Sequence, residues 1–154
     1  MGWEDSQTKR YPYQSLAHGK AKEQASCMII LLDTTVLIDI LRNRGNRRYF
    51  LADLVEQGHT ITTSAINVGE IYAGMRPHEA TETDRLLRSI ESYPTTVAIA
   101  RQAGMLKFAY SQRGKTLTLA DMIVAATALT HGASLMTDNR KDFPLPDLTF
   151  VPTS

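Results

Sequence analysis

Short apolar runs alternate with longer segments of helical spacing along most of this chain, and that alternation limits the folds open to it. The apolar runs lie at 28–32, 61–65, 95–99, 134–137 and 148–151. Between them, helices are predicted at about 35–43, 47–57, 65–75, 79–92, 98–112 and 119–131. Strands that alternate with helices in this way form a parallel sheet with crossover helices. We therefore predict an α/β fold with a central, mostly parallel sheet of about five strands flanked by helices.

The length of the chain and the character of its first residues predict one domain behind an N-terminal extension. The 154 residues are enough for one domain with one core. Residues 1–27 contain Trp3, Tyr11 and Tyr13 but few other core-forming side chains, and they lack the apolar run of a signal peptide. We expect residues 1–27 to be poorly ordered and residues 28–154 to form the domain. No apolar stretch approaches the roughly 20 residues that a membrane-spanning helix needs, so no membrane association is expected.

Cysteine content and charge narrow the classes of function. Cys27 is the only cysteine, which excludes an internal disulfide and a cysteine-based zinc cluster and fits a reducing cytoplasm. From residue 28 onward, thirteen basic residues balance thirteen acidic ones, so any phosphate backbone must be bound by local patches. Two patches are candidates, although solvated helix faces are an equally good interpretation: Arg42, Arg44, Arg47 and Arg48 form the first, and Arg113 with Lys115 forms the second.

Four carboxylates stand where a purely structural role is hard to assign. Asp33 and Asp138 end apolar runs of strand type, Glu70 lies inside a predicted helix and Asp121 opens another. Ligands of open α/β sheets bind at the carboxyl ends of the strands. Two carboxylates 4 Å apart repel by about 4 kcal/mol at an effective dielectric of 20, so converging acids call for a cation. With oxygen ligands only, Mg²⁺ or Mn²⁺ is expected.

Each acid also has a structural alternative. Asp33 could cap the helix that follows it, and Asp121 could form a capping box with the start of its own helix. Glu70 could be a surface glutamate. Its neighbours Gly69 and Gly74 each cost about 1 kcal/mol relative to alanine in a helix interior, which predicts close approach of another backbone or of a ligand.

The residues around the acids form four strings in a fixed order: Leu-Asp-Thr-Thr-Val-Leu-Ile-Asp at 32–39, Asn-Val-Gly-Glu-Ile-Tyr-Ala-Gly at 67–74, Ala-Asp-Met-Ile-Val-Ala-Ala-Thr-Ala-Leu at 120–129, and Leu-Met-Thr-Asp-Asn at 135–139 with Lys-Asp-Phe at 141–143. Together they resemble the PIN-domain ribonucleases, most closely the VapC-type toxins of toxin–antitoxin pairs. The resemblance extends over about 28–151 and implies a PIN-like three-layer fold. It also implies metal-dependent endonucleolytic cleavage of RNA, a homodimer and a VapB-type antitoxin.

The resemblance also implies roles for individual residues. Asp33, Glu70 and Asp121 would hold the main ion, and the fourth acid would be Asp138 or Asp142. Asp138 is favoured because it lies at the strand end. The residues expected to hold these carboxylates or a bound water are Thr34, Thr137 and Asn139.

Two other functions remain as alternatives. A haloacid-dehalogenase-like phosphatase also places an Asp after its first strand, but Thr35 stands here where that class has its second Asp. A PIN module that binds RNA or an antitoxin without catalysis is the other alternative. Cleavage of RNA separates the three, since the phosphatase would release inorganic phosphate and the binding module would release nothing.

Overall fold

Four parallel strands form the centre of the fold, in the order β3-β2-β1-β4. The computed structural model describes residues 27–152, so the prediction of a poorly ordered extension falls on residues that lie outside the described part, apart from Cys27. The strands are Ile29–Leu32 (β1), Thr60–Ser64 (β2), Glu91–Tyr93 (β3) and Ala133–Met136 (β4). The helices are Thr34–Leu41 (α1), Arg47–Glu56 (α2), Ala65–Gly74 (α3), Ala80–Arg88 (α4), Val97–Gln112 (α5) and Leu119–His131 (α6), with 3-10 turns at Pro77–Glu79 and Arg140–Asp142. Within residues 27–152, no helix combines the length and apolar character needed to span a membrane.

The two faces of β1 divide the core into two layers of helices. Ile30 and Leu32 pack into the cluster built by α1, α2, α3 and α4, whereas Leu31 packs into the cluster built by α5 and α6. All three side chains are completely buried. A strand buried on both faces is characteristic of parallel sheets, whose crossover helices cover each side. The prediction of a three-layer α/β fold, with helices on both faces of a parallel sheet, is therefore confirmed.

The sheet differs from the sequence-based expectation at two places. The run 95–99 was predicted as a strand, but Thr96 caps α5 through its hydroxyl, which accepts from the Ile99 backbone N–H at 3.2 Å. The neighbouring strand is instead β3, which the prediction had placed at the end of a helix over 79–92. The run 148–151 contributes a single parallel bridge, between Leu135 and Phe150. The described sheet consequently has four strands rather than five.

The carboxyl ends of β1, β2 and β4 meet at one edge of the sheet. Leu32 of β1 pairs with Met136 of β4, and the Asp33 backbone N–H continues that pairing by donating to the Met136 carbonyl at 3.0 Å. Helix α1 begins directly after β1, and α3 begins directly after β2. Residues that follow these strands therefore come together, although they are distant in sequence.

Candidate active site

Asp33 occupies the N-cap position of α1 but does not cap it. Its side chain makes no hydrogen bond to the helix and is 6% exposed. The Asn67 side-chain amide donates to its Oδ1 at 3.1 Å, and the Thr137 hydroxyl donates to its Oδ2 at 2.7 Å. Both donors are neutral, so the carboxylate is held in place without an opposite charge in these contacts. The structural alternative of a helix cap does not hold for Asp33.

Glu70 lies on the exposed side of α3 and is linked to Asp33 through two side chains. The Thr34 hydroxyl donates to Glu70 Oε1 at 2.7 Å. The same hydroxyl oxygen accepts from the Asn67 amide at 2.9 Å. Because Asn67 also donates to Asp33, one chain of hydrogen bonds connects the carboxylate at the end of β1 with the carboxylate on α3.

Asp121 lies in the first turn of α6, where the Thr118 hydroxyl caps the helix by accepting from the Asp121 backbone N–H at 3.1 Å. Burial raises the pKa of the Asp121 carboxyl. A side-chain hydrogen bond from Thr118 opposes that rise in pKa, while the charges of Asp33, Asp142 and Glu70 add to it. Asp121 therefore belongs to the capped first turn of α6, and the charges of three other acids also act on its carboxylate.

The two candidates for the fourth acid have different surroundings. Asp138 forms an ion pair with Arg47, and its charge is not among those that raise the Asp121 pKa. Asp142 ends the 3-10 turn Arg140–Asp142 and is one of the three acids that do raise it. The sequence favoured Asp138 because it lies at the end of β4. At that position its carboxylate pairs with Arg47. The charge of Asp142 thus adds to the rise in the Asp121 pKa, whereas the charge of Asp138 is matched by Arg47.

The acids of the site match a divalent cation such as Mg²⁺ in the chemistry of their ligand atoms, although they are not placed as a complete set of ligands. Among residues 27–152, no three or more His, Cys, Asp or Glu side chains are arranged as a ready-made metal cage. Burial and the charges of the other three acids nevertheless raise the free energy of ionising Asp121, which a cation would relieve. All the donors are carboxylate or hydroxyl oxygens, and Mg²⁺ in proteins keeps several waters and uses one or two carboxylates directly.

The residues predicted to support the acids are found beside them, together with one that the sequence reasoning did not assign. Thr34 and Thr137 donate to Glu70 and Asp33 as described above. Asn139 supports the site through its backbone, whose N–H donates to the Thr137 hydroxyl at 3.0 Å. The unassigned residue is Asn67, which is completely buried. The sequence did contain a signal for this residue. Asn67 stands three residues after the N-cap Ser64, at the spacing of a capping box, and three residues before Glu70.

Gly69 and Gly74 have no neighbour in the described chain that explains them. A Cβ added at either position would meet nothing within 4 Å. The expectation of a close backbone at these glycines is therefore wrong for residues 27–152, and the close approach of a ligand stays a prediction.

The predicted basic patch after α1 is largely engaged in ion pairs and hydrogen bonds. Arg42 Nε lies 3.1 Å from Glu79 Oε2, and this hydrogen bond, with one from the Arg76 backbone N–H, lowers the pKa of Glu79 to about 2. The others contact α1 or the loop after β4: Arg44 lies 3.9 Å from Asp39, Arg47 lies 3.5 Å from Asp39 and pairs with Asp138, and Arg48 donates to the Ile40 carbonyl at 2.9 Å.

The second basic patch lies in the exposed turn between α5 and α6. The Arg113 guanidinium lies 4.9 Å from the centre of the Tyr110 ring, and Lys115 is exposed. This turn leads directly to the capped start of α6 that carries Asp121.

Comparison with known proteins agrees with this geometry. Residues 30–146 match the family model of the PIN domain. Ribonuclease VapC19 of Mycobacterium tuberculosis (strain CDC 1551 / Oshkosh) is 33% identical over 119 residues, which cover 77% of this chain and 95% of that protein. Ribonuclease VapC10 of the same strain is 35% identical over 117 residues, which cover 76% and 87%. The crystal structure of VapBC2 from Rickettsia felis bound to a promoter DNA fragment matches with a TM-score of 0.72 and 23% identity, covering 80% of this chain and 98% of that one.

The family match spans most of the chain, and both relatives exceed 30% identity over about three quarters of it. The chain therefore belongs to the PIN-domain family and, within it, to the VapC-type ribonucleases of toxin–antitoxin systems. The phosphatase alternative is set aside. Thr35, which stands where a phosphatase would have its second Asp, accepts instead from the Asp138 backbone N–H at 3.5 Å.

Proposed function

We propose that this chain is an Mg²⁺- or Mn²⁺-dependent endoribonuclease, and that Asp33, Glu70, Asp121 and Asp142 form its active site. The observation that carries the proposal is the hydrogen-bond network through Asn67, Thr34 and Thr137 that holds Asp33 and Glu70 at the carboxyl end of β1. Burial and, after it, the charges of Asp33, Asp142 and Glu70 raise the pKa of Asp121. When bound, the divalent ion supplies the positive charge that activates a water for attack on the phosphodiester and stabilises the departing oxygen. The products are a 5′-phosphate and a 3′-hydroxyl.

Asp33, Glu70 and Asp121 would each contribute differently to holding the divalent ion. Asp33 is fixed by Asn67 and Thr137, so its remaining lone pairs keep one direction. Glu70 has one oxygen occupied by Thr34 and is exposed, which leaves its other oxygen available to an ion or a water. Asp121 is half-buried, and it therefore provides a carboxylate that is poorly solvated until a cation is present.

The assignment is tested by removing charge while keeping shape. We expect Asp33→Asn, Glu70→Gln and Asp121→Asn each to abolish Mg²⁺-dependent cleavage of an RNA pool, with circular dichroism unchanged. Asp147→Asn, on an exposed acid outside the site, is the matched control and should cleave normally. Full activity in any two of the three site variants would refute the assignment, as would activity that survives thorough chelation with EDTA.

The fourth acid is Asp142, because its charge acts on Asp121 while that of Asp138 is matched by Arg47. Titration of Mn²⁺ into Asp142→Asn and Asp138→Asn separates the two roles. We expect a weaker Mn²⁺ affinity in Asp142→Asn and a near-normal affinity in Asp138→Asn. The opposite order would return Asp138 to the site.

RNA reaches this site over the turn between α5 and α6. Arg113 and Lys115 lie in an exposed part of the chain directly before the helix that carries Asp121, whereas Arg42 and Arg47 already have carboxylate partners. Phosphate contacts of this kind give affinity that falls with salt. Replacing both residues with glutamine should weaken RNA binding and reduce its salt dependence. An unchanged salt dependence would place the RNA elsewhere.

The partners are a VapB-type antitoxin and a second copy of this chain. The Rickettsia felis structure that this fold resembles is of a VapBC2 pair. The second copy is supported by one face of α5, where Val97, Met105 and Phe108 are 87%, 61% and 65% exposed. Exposed apolar patches of this kind mark interaction surfaces. A cytoplasmic location fits the RNA substrate and the single cysteine.

The self-association is tested by light scattering on a sizing column. Phe108→Glu should convert a dimer to a monomer. Tyr49→Glu, at a tyrosine of α2 that is 75% exposed, should leave the dimer intact. A wild-type monomer, or a Phe108→Glu dimer, would exclude this face.

A further inference from the structure

Asn67 is a completely buried amide that touches both ends of the carboxylate network. It lies in the first turn of α3, and its Nδ2 donates to Asp33 Oδ1 at 3.1 Å and to Thr34 Oγ1 at 2.9 Å. Both hydrogens of the amide nitrogen are thus used. A buried polar group with every hydrogen committed is costly to replace, because its partners then lose their donors.

Ser64 and Asp33 together fix the orientation of this amide. The Ser64 hydroxyl has one hydrogen, which it donates to Asn67 Oδ1 at 2.6 Å. Its oxygen accepts in turn from the Asn67 backbone N–H at 3.3 Å, and this contact caps α3. A reversed amide would place an oxygen against the Asp33 carboxylate, with no hydrogen between them, and would lose the hydrogen bond from the Ser64 hydroxyl. The Asp33 carboxylate and the Ser64 cap of α3 therefore favour the same orientation of Asn67.

Thr34 extends the same direction to Glu70. Its hydroxyl accepts from Asn67, so its own hydrogen is available for Glu70 Oε1, 2.7 Å away. The donors run in one sense from Ser64 through Asn67 and Thr34 to Glu70. Such a directed network has few alternative arrangements, and each bond polarises the next.

A neutral donor suits this position better than a cation. Arg47 shows the contrast, because its guanidinium pairs with Asp138 and matches the charge of that carboxylate. Asn67 and Thr34 orient Asp33 and Glu70 but leave both negative charges available. Groups that orient metal ligands in this way typically change metal affinity or activity by about 10- to 100-fold when they are removed.

We infer that Asn67 is a positioning residue that fixes Asp33 directly, and Glu70 through Thr34, for binding of a divalent cation. The inference rests on the proposed function, because it assumes that these two acids serve the same ion.

The test measures Mn²⁺ affinity of the full chain by electron paramagnetic resonance, with RNA cleavage at saturating Mn²⁺ as a second readout. Asn67→Leu keeps the branching of the side chain at Cγ and removes both donors, and it should weaken Mn²⁺ binding by about 10- to 100-fold. Thr34→Val removes only the link to Glu70 and should weaken binding less. The double variant should be little worse than Asn67→Leu, because the two residues act in one chain. The control is Thr62→Val, at a buried threonine of β2 whose hydroxyl donates to the Ile30 carbonyl at 3.0 Å and touches no acid.

Several outcomes would overturn the inference. Wild-type Mn²⁺ affinity in a folded Asn67→Leu protein would do so, even with a lower melting temperature, because the residue would then be structural only. If Asn67→Leu does not fold, Thr34→Val decides, and wild-type affinity there overturns the link to Glu70. Failure of the proposed function is distinguishable, since Asp33→Asn and Glu70→Gln would then retain Mn²⁺ binding and cleavage.

Discussion

Replacing Thr137 with valine removes one hydroxyl from the site and leaves the Asp33 carboxylate short of a donor. Thr137 is 1% exposed, and its Oγ1 donates to Asp33 Oδ2 at 2.7 Å while accepting from the Asn139 backbone N–H. A hydrogen bond to a charged group contributes about 1.5–3 kcal/mol. We therefore expect Thr137→Val to lower the free energy of unfolding by about 2 kcal/mol, which is roughly 4–8 °C in melting temperature for a chain of this size.

Urea unfolding in EDTA, followed by circular dichroism, measures the loss. Thr127→Val is the matched control, because Thr127 is equally buried but its hydroxyl donates at 2.7 Å to the Ile123 carbonyl of its own helix. That carbonyl also takes part in the backbone hydrogen bonding of the helix. Removing the Thr127 hydroxyl should therefore lower the free energy of unfolding by less than about 1 kcal/mol. The urea dependence should be unchanged in both variants, which would show that the unfolding transition exposes the same surface.

A double-mutant cycle with Asp33→Asn identifies the charge as the cause. Hydrogen bonds to ionised groups are about twice as strong as neutral ones, so Thr137→Val should cost about half as much in the Asp33→Asn background. Equal losses in Thr137→Val and Thr127→Val, or the same loss in both backgrounds, would refute the argument that Thr137 stabilises a buried charge.

Four further predictions concern other residues. The pKa of Asp121 is raised above its ordinary value of 3.8, so its ionised form destabilises the metal-free fold; Asp121→Asn should melt higher at pH 7, with an advantage that disappears as the pH falls to 3.8. The pKa of Glu79 is lowered from 4.5 to about 2, so Glu79→Gln should melt lower at pH 7, and that deficit should shrink as the pH falls from 4.5 towards 2. Gly69→Ala should raise the free energy of unfolding by about 0.5–1 kcal/mol in urea titrations, because the added methyl group meets no neighbour within 4 Å. A chain that starts at Met28 should melt and cleave RNA like the full chain, and a loss of several degrees would show that the removed residues stabilise the domain.

Local sequence patterns predicted most of the architecture and named all four of the proposed site acids, with Asp142 as the alternative to Asp138. The alternation of apolar runs and helical segments indicated a parallel sheet, because each strand must be buried on both faces between crossover helices. It was less informative at 95–99, since β-branched residues there suit either a strand or the start of a helix. The Thr96 hydroxyl caps α5 and so stabilises the helical conformation of this segment. The strand that pairs with β2 is instead Glu91–Tyr93, whose side chains are largely exposed and carry little apolar signal.

The sequence by itself indicates the kind of chemistry, and the tertiary structure alone gives each acid its hydrogen-bond and ion-pair partners. Carboxylates at strand ends and helix starts can be recognised from the local sequence. In a parallel sheet the carboxyl ends of the strands lie at one edge, so such carboxylates are expected to meet there. The partners of those acids cannot be recognised in this way, because they are distant in sequence. Arg47 is 91 residues from Asp138, and Asn67 is 34 residues from Asp33. No local pattern distinguishes an aspartate that faces an arginine from one that faces other acids. Only the tertiary structure places Arg47 of α2 against Asp138 and makes Asn67 of α3 the donor that holds Asp33.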